Sequence, residues 1–251
     1  IREFTTAIHE AGGLCSIDQA NANGILGIVR ARDLGFDLCH FNLHKTFSSP
    51  HGSEGPGSGA LGARRELAPF LPVPTVEFDG THYYLNYDLP HTIGKVRAFL
   101  GNLQVVLRAY AWVMSLGAEG LKTVAQTAVL NNNYLAHKLK HVRGISIPYA
   151  EGKFRLQEVR YSWKDLEAET GVTTEDIARR IVDYGLNNYF TSHAPWVVPE
   201  PFTPEPAESY SKEDLDEYAE IIARVSEEAY ANPELVKSAP HRSSIAKMDE
   251  S

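Results

Sequence analysis

Two short apolar runs, LCSID (14–18) and FDLCHFNL (36–43), constrain this chain more than anything else in it. Neither alternates polar with apolar residues, so each strand must be covered on both faces, as in a parallel sheet clad by helices. IREFTTAIHEAGG precedes the first run. Its Ile1, Phe4, Ile8 and Ala11 fall on one helical face, and Gly12 with Gly13 supplies the stop. A connection containing NANG joins the runs, and GALGA (59–63) reads as a further short strand. The pattern is helix, strand, connection, strand. A chain that opens on Ile1 inside an amphipathic helix, without an initiator methionine, reads as a piece of a longer protein.

Further along, the proline-punctuated segment Pro69 to Pro90 reads as an ordered irregular loop. A long helix is expected over 96–116, with Val96, Leu100, Leu103, Leu107 and Tyr110 as its apolar stripe, broken at Gly117 and followed by a second helix over 118–141. FRLQEVRYSW (154–163) is a strand candidate. Thr173 with Asp176 and Ser211 with Asp214 have the spacing of helix-starting capping boxes, and Gly185 has the place of a helix stop. Leu215, Tyr218, Ile222 and Val225 form the stripe of the last helix, and the polar tail after Asn232 is expected to fray. The charge runs SWKDLEAE and SKEDLDEYAE read as solvated helix faces.

The totals exclude several classes. A net charge of -8 is wrong for a general nucleic-acid surface or an anionic membrane. A chain 43% apolar and 10% aromatic has enough material for a core. There is no run of eighteen apolar residues and no signal peptide at the start given. Cys15 and Cys39 both lie in apolar runs and read as buried thiols of a reducing compartment.

The chemistry gathers at the strand ends. Asp18 closes the first run, and Lys45 follows the second within HFNLHKTFSSPHGSEGPGSGALG. A lysine at the end of a buried strand is costly to keep charged, and the cost falls if the amine is neutral or covalently bound. Ligands of open α/β sheets bind at strand carboxyl ends. Pyridoxal phosphate needs a lysine for its aldehyde and a carboxylate for its ring nitrogen. Ala20 is small enough for a flat ring to lie close, and the glycines at 52, 55, 57 and 59 permit close backbone approach. On the residues alone, a cofactor site and a structural or surface lysine both remain open. His40, His44 and His51 lack the neighbouring Cys or carboxylate set that a zinc spacing requires, and the loop lacks the G-K-[ST] of a P-loop.

DQAN, the block around Lys45, LAPFLPVP, ETGVTTEDIARRIVDYG and VVPEPFTPEPAESYSKEDLDEY closely resemble glycine decarboxylase, the P-protein family of the glycine cleavage system, over nearly the whole chain. The resemblance implies the C-terminal part of a fold-type I PLP-dependent transferase: the remainder of the large α/β domain (1–95), a connecting helix (96–116), a smaller α+β C-terminal domain (117–232) and a polar tail (233–251). It implies pyridoxal 5'-phosphate bound covalently at Lys45, Asp18 on the ring nitrogen, Ala20 as the ring's floor, and His44 beside Lys45 in cofactor binding and catalysis, with no metal.

The implied reaction is decarboxylation of glycine with transfer of the aminomethyl group to the lipoyl arm of the H-protein. The implied partners are that carrier and a second P-protein subunit or chain, as a homodimer or heterotetramer, with no nucleic acid and no membrane. The implied place is the cytoplasm, or the mitochondrial matrix in a eukaryote. Ser53 and Glu54 interrupt the family's glycine-only stretch, and the family's large N-terminal portion has no counterpart here, so this chain alone is expected to be incomplete and inactive. Another fold-type I enzyme, an aminotransferase or amino-acid lyase, and a non-catalytic assembly subunit are the other readings. Arg160 and His193 are further residues considered for the site, Arg160 as a receiver of a substrate carboxylate.

Overall fold

The computed structural model describes residues 1–51, 55–149, 152–186, 189, 191 and 196–248. Gly52, Ser53, Glu54 and His193, considered above, lie outside them. The chain forms two compact units, residues 1–123 and 124–251.

The first unit is built on a small three-stranded sheet. Helix α1 (Arg2–Glu10) leads into β1 (Ser16–Gln19), β2 (Leu38–Asn42) and β3 (Gly59–Ala63), in the order β1-β2-β3. β1 and β2 are parallel, with Ser16 opposite Leu38 and Asp18 opposite His40. β3 returns antiparallel, pairing Asn42 with Gly59 and Leu38 with Ala63. The parallel expectation holds for the first pair; the chain between β2 and β3 carries no crossover helix, so the third strand comes back in the opposite sense.

Opposite the strands' carboxyl ends, Asp37 organises the sheet's other edge. Its carboxylate accepts from the Cys15 amide (2.7 Å) and from Arg64 (2.7 Å), and His9 Nε2 lies 2.9 Å away. Asp37 is buried. Burial works to raise its pKa, but the Cys15 amide, His9 and Arg64 outweigh it and bring the carboxyl down to about 2. One carboxylate thus ties α1, the entry to β1, the start of β2 and the exit of β3.

Several expectations change here. In α1 the apolar stripe faces outward: Ile1 and Phe4 are exposed, and the helix docks through buried Thr5, whose hydroxyl reaches the Leu34 carbonyl at 2.8 Å. That approach requires Gly35, where a Cβ would sit 2.5 Å from Thr5 Oγ1. Residues 69–90 are not wholly irregular. They contain a hairpin, β4 (Thr75–Phe78) with β5 (Tyr83–Asn86), whose turn is closed by Asp79 accepting from the Thr81 and His82 amides, both at 2.8 Å. The long helix α2 (Leu103–Leu139) starts seven residues later than the spacing predicts and is broken at Gly117, φ 62, as expected. Its predicted stripe is its exposed side: Leu103 is 67% and Tyr110 63% accessible, while Val105 and Ala109 between them are buried. This part of α2 is apolar on both faces, so periodicity identified a real stripe without identifying the inward one. Cys15 is buried as expected, Cys39 is only partly so, and both are free thiols.

The second unit packs helices around an aromatic centre. β6 (Tyr161–Ser162) pairs antiparallel with β7 (Pro201–Phe202). The strand expected over 154–163 is reduced to those two residues plus a bridge from Ser162 to Ser146, and Phe154 is solvent-exposed. Phe202 stacks on Tyr161, Trp163 and Tyr189 at centroid distances of 5.0, 5.3 and 5.3 Å. Around this stack lie α3 (Lys164–Thr170), α4 (Thr174–Val182) and α5 (Lys212–Ala231). The SWKDLEAE run is helical in α3, but its Leu166 is fully buried rather than solvated. Both capping boxes form: Thr173 Oγ1 accepts from the Asp176 amide and Ser211 Oγ from the Asp214 amide, with each aspartate reaching back to the cap amide. Gly185 adopts φ 86 just past α4, and Leu215, Ile222 and Val225 are buried as predicted. The segment after Asn232 does not fray at once. α6 (Pro233–Lys237) follows, Val236 and Ala239 are buried, and Asp183 accepts from the His241 and Arg242 amides at 2.7 and 2.6 Å. Those contacts join distant positions, which a polar composition does not reveal.

Among the described residues no helix is long and apolar enough to cross a membrane.

Candidate active site

The site begins with the parallel pairing of β1 and β2. Adjacent parallel strands run about 4.8 Å apart and end on the same side, so the residues leaving β1 and those leaving β2 emerge together. Asp18 lies in the last turn of pleat of β1, in register with His40. Its Oδ1 accepts the Ala20 amide at 2.8 Å and lies 3.1 Å from His40 Nε2. Ala20 is half-buried directly beyond it.

Lys45 stands in the turn after β2, with its amide donating to the Asn42 carbonyl at 3.1 Å. The burial expected of it is not found: the side chain is exposed. The reason is that the strand stops at Asn42 and the turn carries Lys45 clear of the sheet's cover. Among the described residues its ammonium has no carboxylate within ion-pair distance, so the amine is uncommitted.

The residues after Lys45 hold it in place. Thr46 Oγ1 accepts the Ala22 amide at 3.0 Å, tying the loop after β2 to the loop after β1. Phe47 is buried, edge-on to Phe41 (5.9 Å) and Trp112 (6.0 Å). Ser49 is buried and donates to the Val105 carbonyl at 3.1 Å. A flexible amine is therefore mounted on an anchored loop, the arrangement a site needs if its reactive group is to be presented repeatably.

His44 points into the glycine-rich return. Its Nδ1 lies 3.0 Å from the Ser58 carbonyl and 3.1 Å from the Ser58 amide, so the ring serves as donor or acceptor there according to tautomer. His51 packs edge-on against it at 4.5 Å. The close approach depends on Gly57, where a Cβ would stand 3.1 Å from the His44 ring. The three histidines weighed as a metal set are thus divided: His40 belongs with Asp18, and His44 with His51 and Ser58. Among the described residues the one compact group of ligand-type side chains is His9, Cys15 and Asp37, where Asp37 is already occupied by its structural donors. Arg160 is half-buried in the second unit, with its Nε lacking a partner among the described residues.

His40 and Thr46 are the members that sequence reading did not assign to the site. Their roles come from cross-strand register and loop-to-loop contact; Thr46 beside Lys45 was the available signal.

Residues 124–243 match the family model described as the C-terminal domain of glycine dehydrogenase. The probable glycine dehydrogenase (decarboxylating) subunit 2 of Pyrococcus abyssi is 48% identical over 252 residues, covering 100% of this chain and 50% of that protein. Over its whole length the chain is similar to one half of that protein. The corresponding protein of Thermotoga maritima is 46% identical, covering 100% of this chain and 52% of its own length. The chain spans about half the length of the curated relatives it matches.

Among solved structures, a glycine decarboxylase (P-protein) of the glycine cleavage system in inhibitor-bound form superposes with a TM-score of 0.70 at 20% identity, covering 89% of this chain and 51% of that one. The cysteine desulfurase of Thermococcus onnurineus NA1 superposes with a TM-score of 0.63 at 16% identity, covering 90% and 56%. At those identities the likeness is one of fold: mixed α/β, the C-terminal part of the fold-type I architecture. The glycine dehydrogenase family match and this fold agree with the expected fold class.

Proposed function

We propose that this chain supplies the cofactor lysine and its facing carboxylate to a glycine decarboxylase that passes the aminomethyl group to a lipoyl-bearing carrier protein. The observation that carries the reading is the parallel pairing of β1 with β2, which brings the Asp18 and Lys45 loops to one side of the sheet and joins them through Thr46. The donor set fits pyridoxal phosphate: a primary amine without an ion-pair partner among the described residues, and a carboxylate with one oxygen clamped and the other open to a ring N–H. When bound, that cofactor supplies an electron sink for the carbanion left as glycine loses carbon dioxide.

The chain's own residues have distinct tasks. Lys45 is the residue that would hold the cofactor, through its aldehyde. Asp18 holds the proton on the ring nitrogen. Ala20 leaves room for the ring face. Lys45, once free, and His44 at its side are the groups placed to carry protons at glycine's α-carbon. A second subunit or chain completes the site, and the two unpaired thiols suit a reducing cytoplasm.

The test uses the full-length protein in exchange of labelled carbon dioxide with glycine. Lys45→Ala is expected to lower exchange by at least about a thousandfold, in the range for losing a covalent catalytic group. Unchanged exchange overturns the reading. Transamination or cleavage of larger amino acids without glycine exchange favours the aminotransferase or lyase alternative. This chain by itself is expected to bind pyridoxal phosphate weakly; tight, stoichiometric uptake overturns that part.

A further inference from the structure

We propose that His40 is a positioning residue that sets the plane of the Asp18 carboxylate for the cofactor's ring nitrogen, an inference that rests on the function proposed above. The two residues are register partners on neighbouring parallel strands, so their side chains rise from the same face of the sheet. His40 Nε2 sits 3.1 Å from Asp18 Oδ1, and the Ala20 amide donates to that same oxygen at 2.8 Å. No described residue donates to Oδ2.

The arrangement solves a problem created by exposure. The Asp18 side chain is 72% accessible, and a carboxylate's terminal torsion is broad, so alone it would present no fixed plane. A flat heterocycle offers its N–H in one direction, and the partner oxygen must already lie there. The Ala20 amide donating to Oδ1 from two places on, with the His40 ring nitrogen packed against the same oxygen from the strand alongside, restricts that plane and leaves Oδ2 as the oxygen turned to the ligand. His40 touches neither substrate nor cofactor; it acts through Asp18.

The experiment is a double-mutant cycle on the full-length protein, read by equilibrium dialysis against pyridoxal phosphate and by nitrogen-15 NMR of the histidine rings without cofactor. His40→Leu is expected to weaken cofactor affinity about tenfold, the scale of losing one close polar contact to a carboxylate. His40→Gln, which keeps an N–H at similar reach, is expected to recover most of that. In an Asp18→Asn background, His40→Leu is expected to add less than about twofold. Equal losses in both backgrounds, or no recovery by Gln, overturn the proposal. In the cofactor-free protein, Asp18→Asn is expected to change the His40 ring-nitrogen shifts; unchanged shifts overturn the pairing. Failure of the unaltered protein to take up pyridoxal phosphate overturns the functional reading itself, and the cofactor-free spectra then judge the pairing separately.

Discussion

The two units enclose their apolar side chains to different extents. In residues 124–251 Tyr161, Trp163, Leu166, Ile177, Ile181, Phe202 and Ile222 are all fully enclosed. In residues 1–123 Phe78, Tyr83, Leu103, Leu107, Tyr110 and Met114 stand more than half exposed, and the buried set is sparse and small-sided, with Ala22, Val73, Val105 and Ala109 among its members. The second unit makes a core from its own sequence. The first carries the candidate site: its side chains hold two loops and a sheet edge in place, while the apolar side chains just named stand exposed. The curated relatives are about twice as long as this chain, and exposed apolar side chains in such number are the kind of surface that further protein covers.

That contrast is open to direct attack. The largest expected effect is in the closed unit: Trp163→Ala removes the ring stacked on Phe202 and leaves Tyr189 without the indole donor at 2.8 Å. A loss of about 3–5 kcal/mol is expected in chemical denaturation, against less than about 0.5 kcal/mol for Leu107→Ala on the exposed stripe. Similar losses at both positions would show that the stripe is covered and the contrast false.

Next in size is Asp37, where the open unit does have a buried anchor. Asp37→Asn weakens the ties to His9 and Arg64 and is expected to cost about 3 kcal/mol. The folded carboxyl lies below its unfolded value, so its contribution is complete above about pH 4 and falls away as the pH drops toward about 2. Denaturation midpoints measured on either side of that window should show an acid-dependent loss for the parent that the Asn variant lacks. The smallest effect sharpens the comparison from the helix ends: Thr173→Ala, which opens the capping box of α4, is expected to cost about 1 kcal/mol in the closed unit, read as a shifted midpoint with unchanged slope.

What could be read beforehand follows from how local each interaction is. Thr173 with Asp176 and Ser211 with Asp214 are pairs three residues apart, so their boxes were visible in the sequence. Asp18 and Lys45 were visible because a charged group at the end of an apolar run is conspicuous. The hairpin over 75–86 was hidden by the prolines around it, although Asp79 before Gly80 was a turn signal available to be used. The docking of Val236 and Ala239 depends on surfaces many residues away. The inward side of α2 at Val105 and Ala109 was masked by larger residues that point outward, and the partnership of His40 with Asp18 required the register of two strands. In each of these the deciding neighbour is absent from the local string.

β3 crosses β2 with Gly62 directly opposite Cys39, and a Cβ at 62 would come within 2.8 Å of the Cys39 sulfur. These two positions share a single allotment of space. A larger residue at 62 therefore requires the side chain at 39 to turn away or become smaller, which couples the two positions through volume.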